Sequence, residues 1–319
     1  MMIKAYNNLL KAGVLGMNRR NSDYLLKCNP RSAFPIVDNK ILTKKLAVEH
    51  NIPTPEIFHI IERHGEISGL EKILAGRQEF VVKPARGTGG HGIILLTGRS
   101  GKDLVKQDGT ILSFIDLSFH IQDILSGIYS LGGQEDSAII EALVHPDPVF
   151  SSITYKGVPD TRIIVYRGVP VMGMVRLPTR ASDGKANIHR GALGAGIDME
   201  TGKTLEAVHH SRVITNHPDT GNQISGIQIP YWRKILMMAT VAFDMSGLGY
   251  LGADMVIDDK VGPVLLELNA RPGLQIQIAN KAGLVPRLLR VDTAPEYVFA
   301  DMESRVTWAM EMFGVSEVI

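Results

Sequence analysis

The chain has 319 residues, 45% of them hydrophobic, with 34 basic against 33 acidic side chains and a formal net charge of +1. That length suffices for a well-buried core and for two lobes, and the balanced charge excludes a global field drawing the chain to nucleic acid or an anionic membrane. The one cysteine, Cys28, can form neither an internal disulfide nor a thiolate metal site, so a cytoplasmic location is expected. No stretch approaches the roughly 18 to 20 uninterrupted apolar residues of a membrane span. The best candidate, residues 163–175, carries Arg167 and two internal glycines. Lys4, Lys11, Arg19 and Arg20 precede the first acid, Asp23, but no continuous apolar run accompanies them, so a secretory signal is not expected.

In chain order, residues 1–37 read as a short helix followed by a basic, Asn-rich and Pro-containing arm. Residues 41–50 have a helical pattern stopped by Ile52-Pro53-Thr54-Pro55. Residues 79–83 read as a strand, a Gly-rich loop follows, and 93–96 read as a second strand. Residues 110–129 are mixed helical or irregular sequence, and 138–144 form an apolar strand-like run. A hairpin turning at Arg167-Gly168 joins 162–166 to 169–176. An amphipathic helix is expected over 232–246, and a second hairpin over 251–269 turns at residues 258–262. The class is α+β with antiparallel sheets.

The loop Gly87-Thr88-Gly89-Gly90-His91-Gly92 satisfies the dinucleotide pattern G-x-G-x-x-G, but that pattern requires a helix immediately afterwards. A strand is expected there instead, and no Gly-Lys-Ser/Thr completes a P-loop. A glycine-rich lid between two strands, covering phosphates with backbone N–H groups, fits better. By itself the loop equally fits a flexible hairpin tip. Lys83, in Val81-Val82-Lys83-Pro84, precedes it.

A second constellation lies in Gly252-Ala253-Asp254 and Leu265-Leu266-Glu267-Leu268-Asn269. Strand side chains alternate, so Glu267 and Asn269 share one face while Leu266 and Leu268 are expected in the opposite, apolar layer. The hairpin can place Asp254 opposite Glu267. Two carboxylates and an amide oxygen are a hard-oxygen set suited to magnesium. Asp258 and Asp259 fall where the turn should be, and solvent is their expected partner.

Lys40 in Asp38-Asn39-Lys40, Lys83, the Gly-rich loop, Asn187-Ile188-His189-Arg190-Gly191 and Glu267-Leu268-Asn269-Ala270-Arg271-Pro272-Gly273 occur in an order that resembles the ATP-grasp ligases. The look is nearest to ribosomal-protein glutamate ligases and related α-L-glutamate ligase-like proteins, over about residues 38–290. The resemblance implies an ATP-grasp fold, two α+β lobes gripping ATP, with the usual preceding domain reduced to a short arm over 1–37. The small lobe with its lid would span 38–138, and the large lobe with the magnesium site and a C-terminal helical segment 139–319.

The resemblance further implies that Lys40 and Lys83 meet the nucleotide phosphates together with Gly87, Thr88, Gly89, Gly90 and Gly92. Lys44 and Lys45 compete for the role of Lys40. The run Glu141, Ala142 and Leu143 resembles the hinge that binds adenine through its backbone, Asp160 the acid near the ribose, and Lys185 and Asn187 further nucleotide contacts. Asp254, Glu267 and Asn269 match the magnesium ligands, with manganese as the alternative ion. The implied reaction is ATP-dependent activation of a carboxylate as an acyl phosphate, then attack by an amine. Arg271, Arg162, Arg176 and Arg190 are the candidates for stabilising the oxyanion. Arg271 comes first, because a continued strand would present it on the metal face; an ion pair is the alternative for Arg162 and Arg176.

The implied partners are an amino acid, a peptide or another small carboxylate together with an amine acceptor, with self-association left open. Two departures point to a different substrate pocket. Only about 37 residues precede Lys40, and residues 113–133 look longer than usual. A phosphotransferase on the same scaffold and a non-catalytic nucleotide-binding module are the alternative readings.

Overall fold

The computed structural model describes residues 8–87, 89–210 and 212–314. They divide into two compact units, a smaller one of residues 39–44 and 54–144 and a larger one of residues up to 38, 45–53 and from 145 onward. The helix Lys40–Glu49 gives its first turn to the smaller unit and its remainder to the larger.

The smaller unit is built on a six-stranded antiparallel sheet of order β1-β6-β2-β3-β4-β5, with β1 Ile57–Ile61, β2 Phe80–Pro84, β3 Ile94–Ser100, β4 Asp103–Lys106, β5 Ile111–Leu112 and β6 Ala138–Glu141. The expected strand, loop and strand around the glycines are thus β2 and β3. Within the irregular-looking stretch lies a regular helix, Phe114–Leu125, whose start is fixed by Ser113: its Oγ accepts from the Asp116 amide at 3.1 Å and donates to the Asp116 carboxylate at 2.7 Å. Leu117, Ile121, Ile124 and Leu125 recur at helical spacing and join Phe80, Val82, Leu96 and Ile140 in this unit's core.

In the larger unit a seven-stranded antiparallel sheet has the order β11-β10-β9-β8-β7-β12-β13. Its strands are β7 Asp160–Tyr166, β8 Val169–Leu177, β9 Leu193–Ile197, β10 Thr204–His209, β11 Arg212–Ile214, β12 Tyr250–Asp258 and β13 Gly262–Asn269. The β7–β8 hairpin turns in two residues, Arg167 and Gly168, both at positive φ (49° and 78°), which matches the strand twist. The helix Trp232–Ser246 buries Trp232, Ile235, Leu236, Ala239, Ala242 and Met245 along one stripe, and ends on Gly247 in the left-handed region at φ 68°. Strands β9 to β11 and the helices Leu284–Asp292 and Met302–Phe313 complete the unit.

The N-terminal segment is built into this unit. Leu15, Tyr24, Leu25, Ala33 and Val37 are core residues, and the Gln277 side chain bonds both the amide and the carbonyl of Leu15, at 2.7 and 3.1 Å. No described helix is long and apolar enough to cross a membrane.

Candidate functional site

In the smaller unit Lys83 lies on β2, and neighbouring β6 ends at Glu141. The Glu141 carboxylate is shared by two lysines, Lys83 Nζ on Oε1 and Lys44 Nζ on Oε2, each at 2.5 Å. All three groups are buried, and Lys44 also donates to the Pro55 carbonyl at 2.8 Å. One carboxylate against two ammonium groups leaves a unit of positive charge in a dry place. Burial first, and then the charge of Lys83, lowers Lys44 to about 8. Burial pushes Glu141 up, but Lys83 and Lys44 outweigh it and hold the carboxyl below its ordinary range. Lys40 is elsewhere: its Nζ donates to the Gly87 carbonyl at 2.5 Å, at the start of the loop. Of the hinge run, the Ala142 amide is taken by the Glu56 carbonyl at 2.9 Å.

The loop's glycines have two physical reasons. Gly89, Gly90 and Gly92 sit at φ 63°, 75° and 73°. A Cβ at Gly87 would lie 2.2 Å from the Pro84 ring, and one at Gly92 would lie 2.6 Å from the Tyr129 ring. Thr88 lies outside the described residues. Both ends of the loop are anchored by side chains that the sequence did not single out. The Asp136 carboxylate accepts from the Arg86 amide at 3.0 Å and from Ser130 Oγ at 2.7 Å. His120 Nε2 meets the Gly92 carbonyl at 2.9 Å, while Tyr129 Oη lies 3.3 Å from His120 Nδ1. A carbonyl only accepts, so Nε2 carries the proton and Nδ1 is left to accept from Tyr129.

In the larger unit, strand register assembles the second constellation. Asp254 pairs with Glu267 on one side and with Arg162 on the other, Gly252 with Asn269, and Asp160 with Arg176. Directly opposed residues share a face, so Asp160, Arg162, Arg176, Asp254, Glu267 and Asn269 line one face of the sheet.

A β-bulge follows this row. Asp254 opposes Glu267, but the next residue, Met255, opposes Leu265, so Leu266 is the extra residue. The expectation for Leu266 is corrected accordingly: Leu265 and Leu268 are the core residues, 1% and 3% exposed, and Leu266 is half-buried in the bulge.

Arg162 grips Asp254 through Nε to Oδ1 at 2.6 Å and Nη2 to Oδ2 at 2.5 Å. Arg176 adds Nη2 to the same Oδ2 at 2.8 Å and holds Asp160 with both Nε and Nη2. Asn269 Nδ2 donates to Asp254 Oδ2 at 3.1 Å, which keeps its own Oδ1 as an acceptor. Burial alone would raise the Asp254 carboxyl, but the two guanidiniums hold it well below the carboxylate range. For Asp160 burial prevails, with repulsion from Asp254, over the pull of Arg176, and its carboxyl is raised. The ion-pair alternative for Arg162 and Arg176 is thus the arrangement seen.

Arg271 is not on a strand. β13 ends at Asn269, and Arg271 stands over the Phe34 ring at 5.0 Å in an exposed position, so the expected strand continuation is corrected. Where the chain leaves the strand, Asn29 Nδ2 donates to the Tyr250 and Ala270 carbonyls, at 2.7 and 3.3 Å.

Lys185 lies 3.7 Å from Asp183, and Asn187 Oδ1 accepts from the His189 amide, capping the short turn Ile188–Arg190. His189 Nε2 is 2.8 Å from Gln275 Nε2. Asp258 does more than face solvent: its carboxylate accepts from the His145, Lys260 and Val261 amides and fixes the β12–β13 turn.

Among solved structures, the chain is similar to the ATP-grasp ligase PsnB complexed with a phosphomimetic variant of its minimal precursor, Mg and ADP (12% identity, 88% of this chain and 61% of that one, TM-score 0.41). It is also similar to a D-alanine–D-alanine ligase from Bacillus anthracis complexed with ATP (14% identity, 88% and 69%, TM-score 0.42). The chain spans 56% and 61% of the length of two PsnB chains it matches. No curated protein matches it. The family described as sugar-transfer associated ATP-grasp matches residues 19–293, a span that takes in the second half of the N-terminal segment and both sheets. The fold is the ATP-grasp fold, and the chain belongs to the sugar-transfer associated ATP-grasp family.

Proposed function

We propose that this chain is an ADP-producing ligase that activates a carboxylate as an acyl phosphate for attack by an amine. The observation that carries the reading is the row Glu267, Asp254 and Arg162 with Asn269 beside it, hard oxygen donors and a guanidinium on one face of a sheet. The donor set fits magnesium, or manganese in its place: Glu267 and Asn269 Oδ1 would hold the ion, and Asp254 would offer the second lone pair of Oδ1, which takes one donor, Arg162 Nε, against three on Oδ2. When bound, the ion supplies charge neutralisation on the transferring phosphoryl group.

Lys40, Lys83 and the amides of loop 87–92 neutralise and orient the nucleotide phosphates, and the surplus positive charge beside Glu141 suits an anion. The backbone of residues 141–143 serves adenine, Ala142 through its carbonyl since its amide is held by Glu56, with Asp160, Lys185 and Asn187 as further nucleotide contacts. A substrate carboxylate oxygen attacks the γ-phosphorus in line, the bond to the β,γ-bridging oxygen breaks, and ADP leaves. An amine nitrogen then attacks the acyl carbon, phosphate departs, and the amine proton passes to solvent. Arg271, with Arg190 as the next choice, stabilises the tetrahedral oxyanion; Arg162 and Arg176 act by holding Asp254.

Amino acids and peptides are the first substrate class, following the glutamate ligase-like resemblance. Because the family is described as sugar-transfer associated, amino sugars and sugar acids, which carry the required amine or carboxylate, make the second panel. The test is ADP release over panels of both classes, with Glu267→Gln as control. Amide formation coupled to ADP release supports the ligase reading. ADP released with a phosphorylated product and no amide, even with amines present, sinks it in favour of a phosphotransferase. Glu267→Gln should lose at least about a hundredfold in rate, roughly 2.7 kcal/mol of barrier.

A further inference from the structure

The N-terminal segment is locked onto the end of the acidic hairpin. Asn29, 5% exposed, bonds the Tyr250 amide and carbonyl and the Ala270 carbonyl, and the Gly249 amide donates to the Cys28 carbonyl at 2.9 Å. Farther back, the Val285 amide donates to the Gly13 carbonyl at 3.0 Å, so the segment is held at both ends.

This locking sets Arg20 against the residues that follow Asn269. Arg20 Nη1 donates to the Pro272 carbonyl at 3.0 Å, while Nε and Nη2 rest on Asn21 Oδ1. Pro272 itself folds back on the acid face: a Cβ at Gly252, the partner of Asn269, would lie 2.8 Å from Pro272 Cβ. Arg271 stacks over Phe34 of the same N-terminal segment.

Two distant stretches of chain thus each bring a guanidinium to the segment that follows Asn269, Arg20 through the Pro272 carbonyl and Arg271 against Phe34. Among the described residues neither guanidinium has a carboxylate at ion-pair distance. Burial, opposed by Tyr250 and reinforced by the charge of Arg271, lowers the pKa of Arg20. Two like charges within reach of one another and without a counter-ion are unfavourable until an anion arrives. The Nε/Nη2 fork of Arg20 rests on a neutral amide oxygen, Asn21 Oδ1, which an anion would displace, and that fork and the one of Arg271 match a carboxylate or a phosphate.

We propose that Arg20 and Arg271 form a two-guanidinium subsite for an anionic group of the substrate, a carboxylate or a phosphate, and that the N-terminal segment exists in this fold to supply half of it. Calling the anion a substrate group rests on the ligase reading; the subsite itself does not.

The experiment is calorimetric titration of the full chain with succinate and with inorganic phosphate, each with and without saturating Mg–ADP. Wild type should bind at least one probe, and which one identifies the anion. Arg20→Ala and Arg271→Ala should each weaken that binding at least tenfold, and the double variant little further, because one fork alone does not clamp the anion. Arg20→Lys, which keeps the charge and the fold but lacks the fork, should weaken it several-fold and decides the matter if Arg20→Ala fails to fold. The subsite is overturned if wild type binds neither probe, or if the folded single variants bind as tightly as wild type. Failure of wild type to bind Mg–ADP would instead remove the nucleotide reading, and the nucleotide-free titrations would still judge the arginine pair.

Discussion

Arg162 and Asp254 face each other across the β7–β12 pair, and the guanidinium covers both carboxylate oxygens at 2.6 and 2.5 Å. Asp254 is 1% exposed, so its charge survives only because Arg162 and Arg176 surround it. Arg162→Met should therefore destabilise the fold by about 3 kcal/mol by leaving an undercompensated buried carboxylate. Asp254→Asn should cost a similar amount for the opposite reason. The double variant should recover part of the loss, a coupling that urea unfolding of all four proteins would measure. Additive losses would mean that the pair is not an energetic unit.

The lysines on Glu141 give a pH dependence of definite sign. Lys44 is held to about 8 against an ordinary 10.5. Between those values the unfolded chain keeps a proton that the folded chain has lost, so this group makes unfolding free energy rise with pH, by at most about 3 kcal/mol. Glu141 is depressed in the folded state, so its contribution is present above its unfolded pKa and falls away as the pH drops below about 4.5. Urea unfolding at pH 7, 9 and 10 should show the alkaline rise in wild type and lose it in Lys44→Met. A rise that persists in the variant would assign it to another group.

Gly92 combines a left-handed φ of 73° with a Tyr129 ring that a Cβ would meet at 2.6 Å. Gly92→Ala should cost at least about 2 kcal/mol, part backbone strain and part overlap. Shortening the ring in Gly92→Ala/Tyr129→Leu should return the overlap part while the strain, about 1 kcal/mol, remains. Thermal unfolding of the single and double variants separates the two, and full recovery in the double variant would show that φ is not strained. Tyr129→Phe alone, which removes only the hydroxyl on His120, should lose about 1 kcal/mol or less.

What the sequence disclosed was what local rules govern. The period-2 pattern and the turn at Asp258 gave the β12–β13 hairpin, and with it the Asp254 to Glu267 pairing. The helix 232–246 followed from its amphipathic period. The bulge at Leu266 was hidden because alternation counted back from Glu267 looks regular, and only pairing with Met255 reveals the extra residue. Lys44 could not be told from Lys40 or Lys45 by spacing, since the choice is made by Glu141, 97 residues away. His120, Tyr129 and Asp136 carry no motif; they act on the glycine loop through tertiary contact. The N-terminal segment looked like an arm because its composition is basic and broken. What fixes it is a handful of buried polar bonds, which composition does not show.

Those polar bonds make the last prediction. Asn29 satisfies a backbone donor and two backbone acceptors at the ends of β12 and β13, and all three are far from it in sequence. Asn29→Leu keeps roughly the volume but strands the Tyr250 amide and carbonyl in a buried place, which costs about 1–3 kcal/mol for each group left unpaired. Unfolding in urea should fall by about 3 kcal/mol or more, and limited proteolysis should begin in the N-terminal segment while both sheets remain resistant. Arg20→Ala, on the same segment but half-buried and bonded at one backbone atom, should change stability by less than about 1 kcal/mol. Equal losses for the two variants would mean that Arg20 is a structural strut, and the difference between them is what separates its role from that of Asn29.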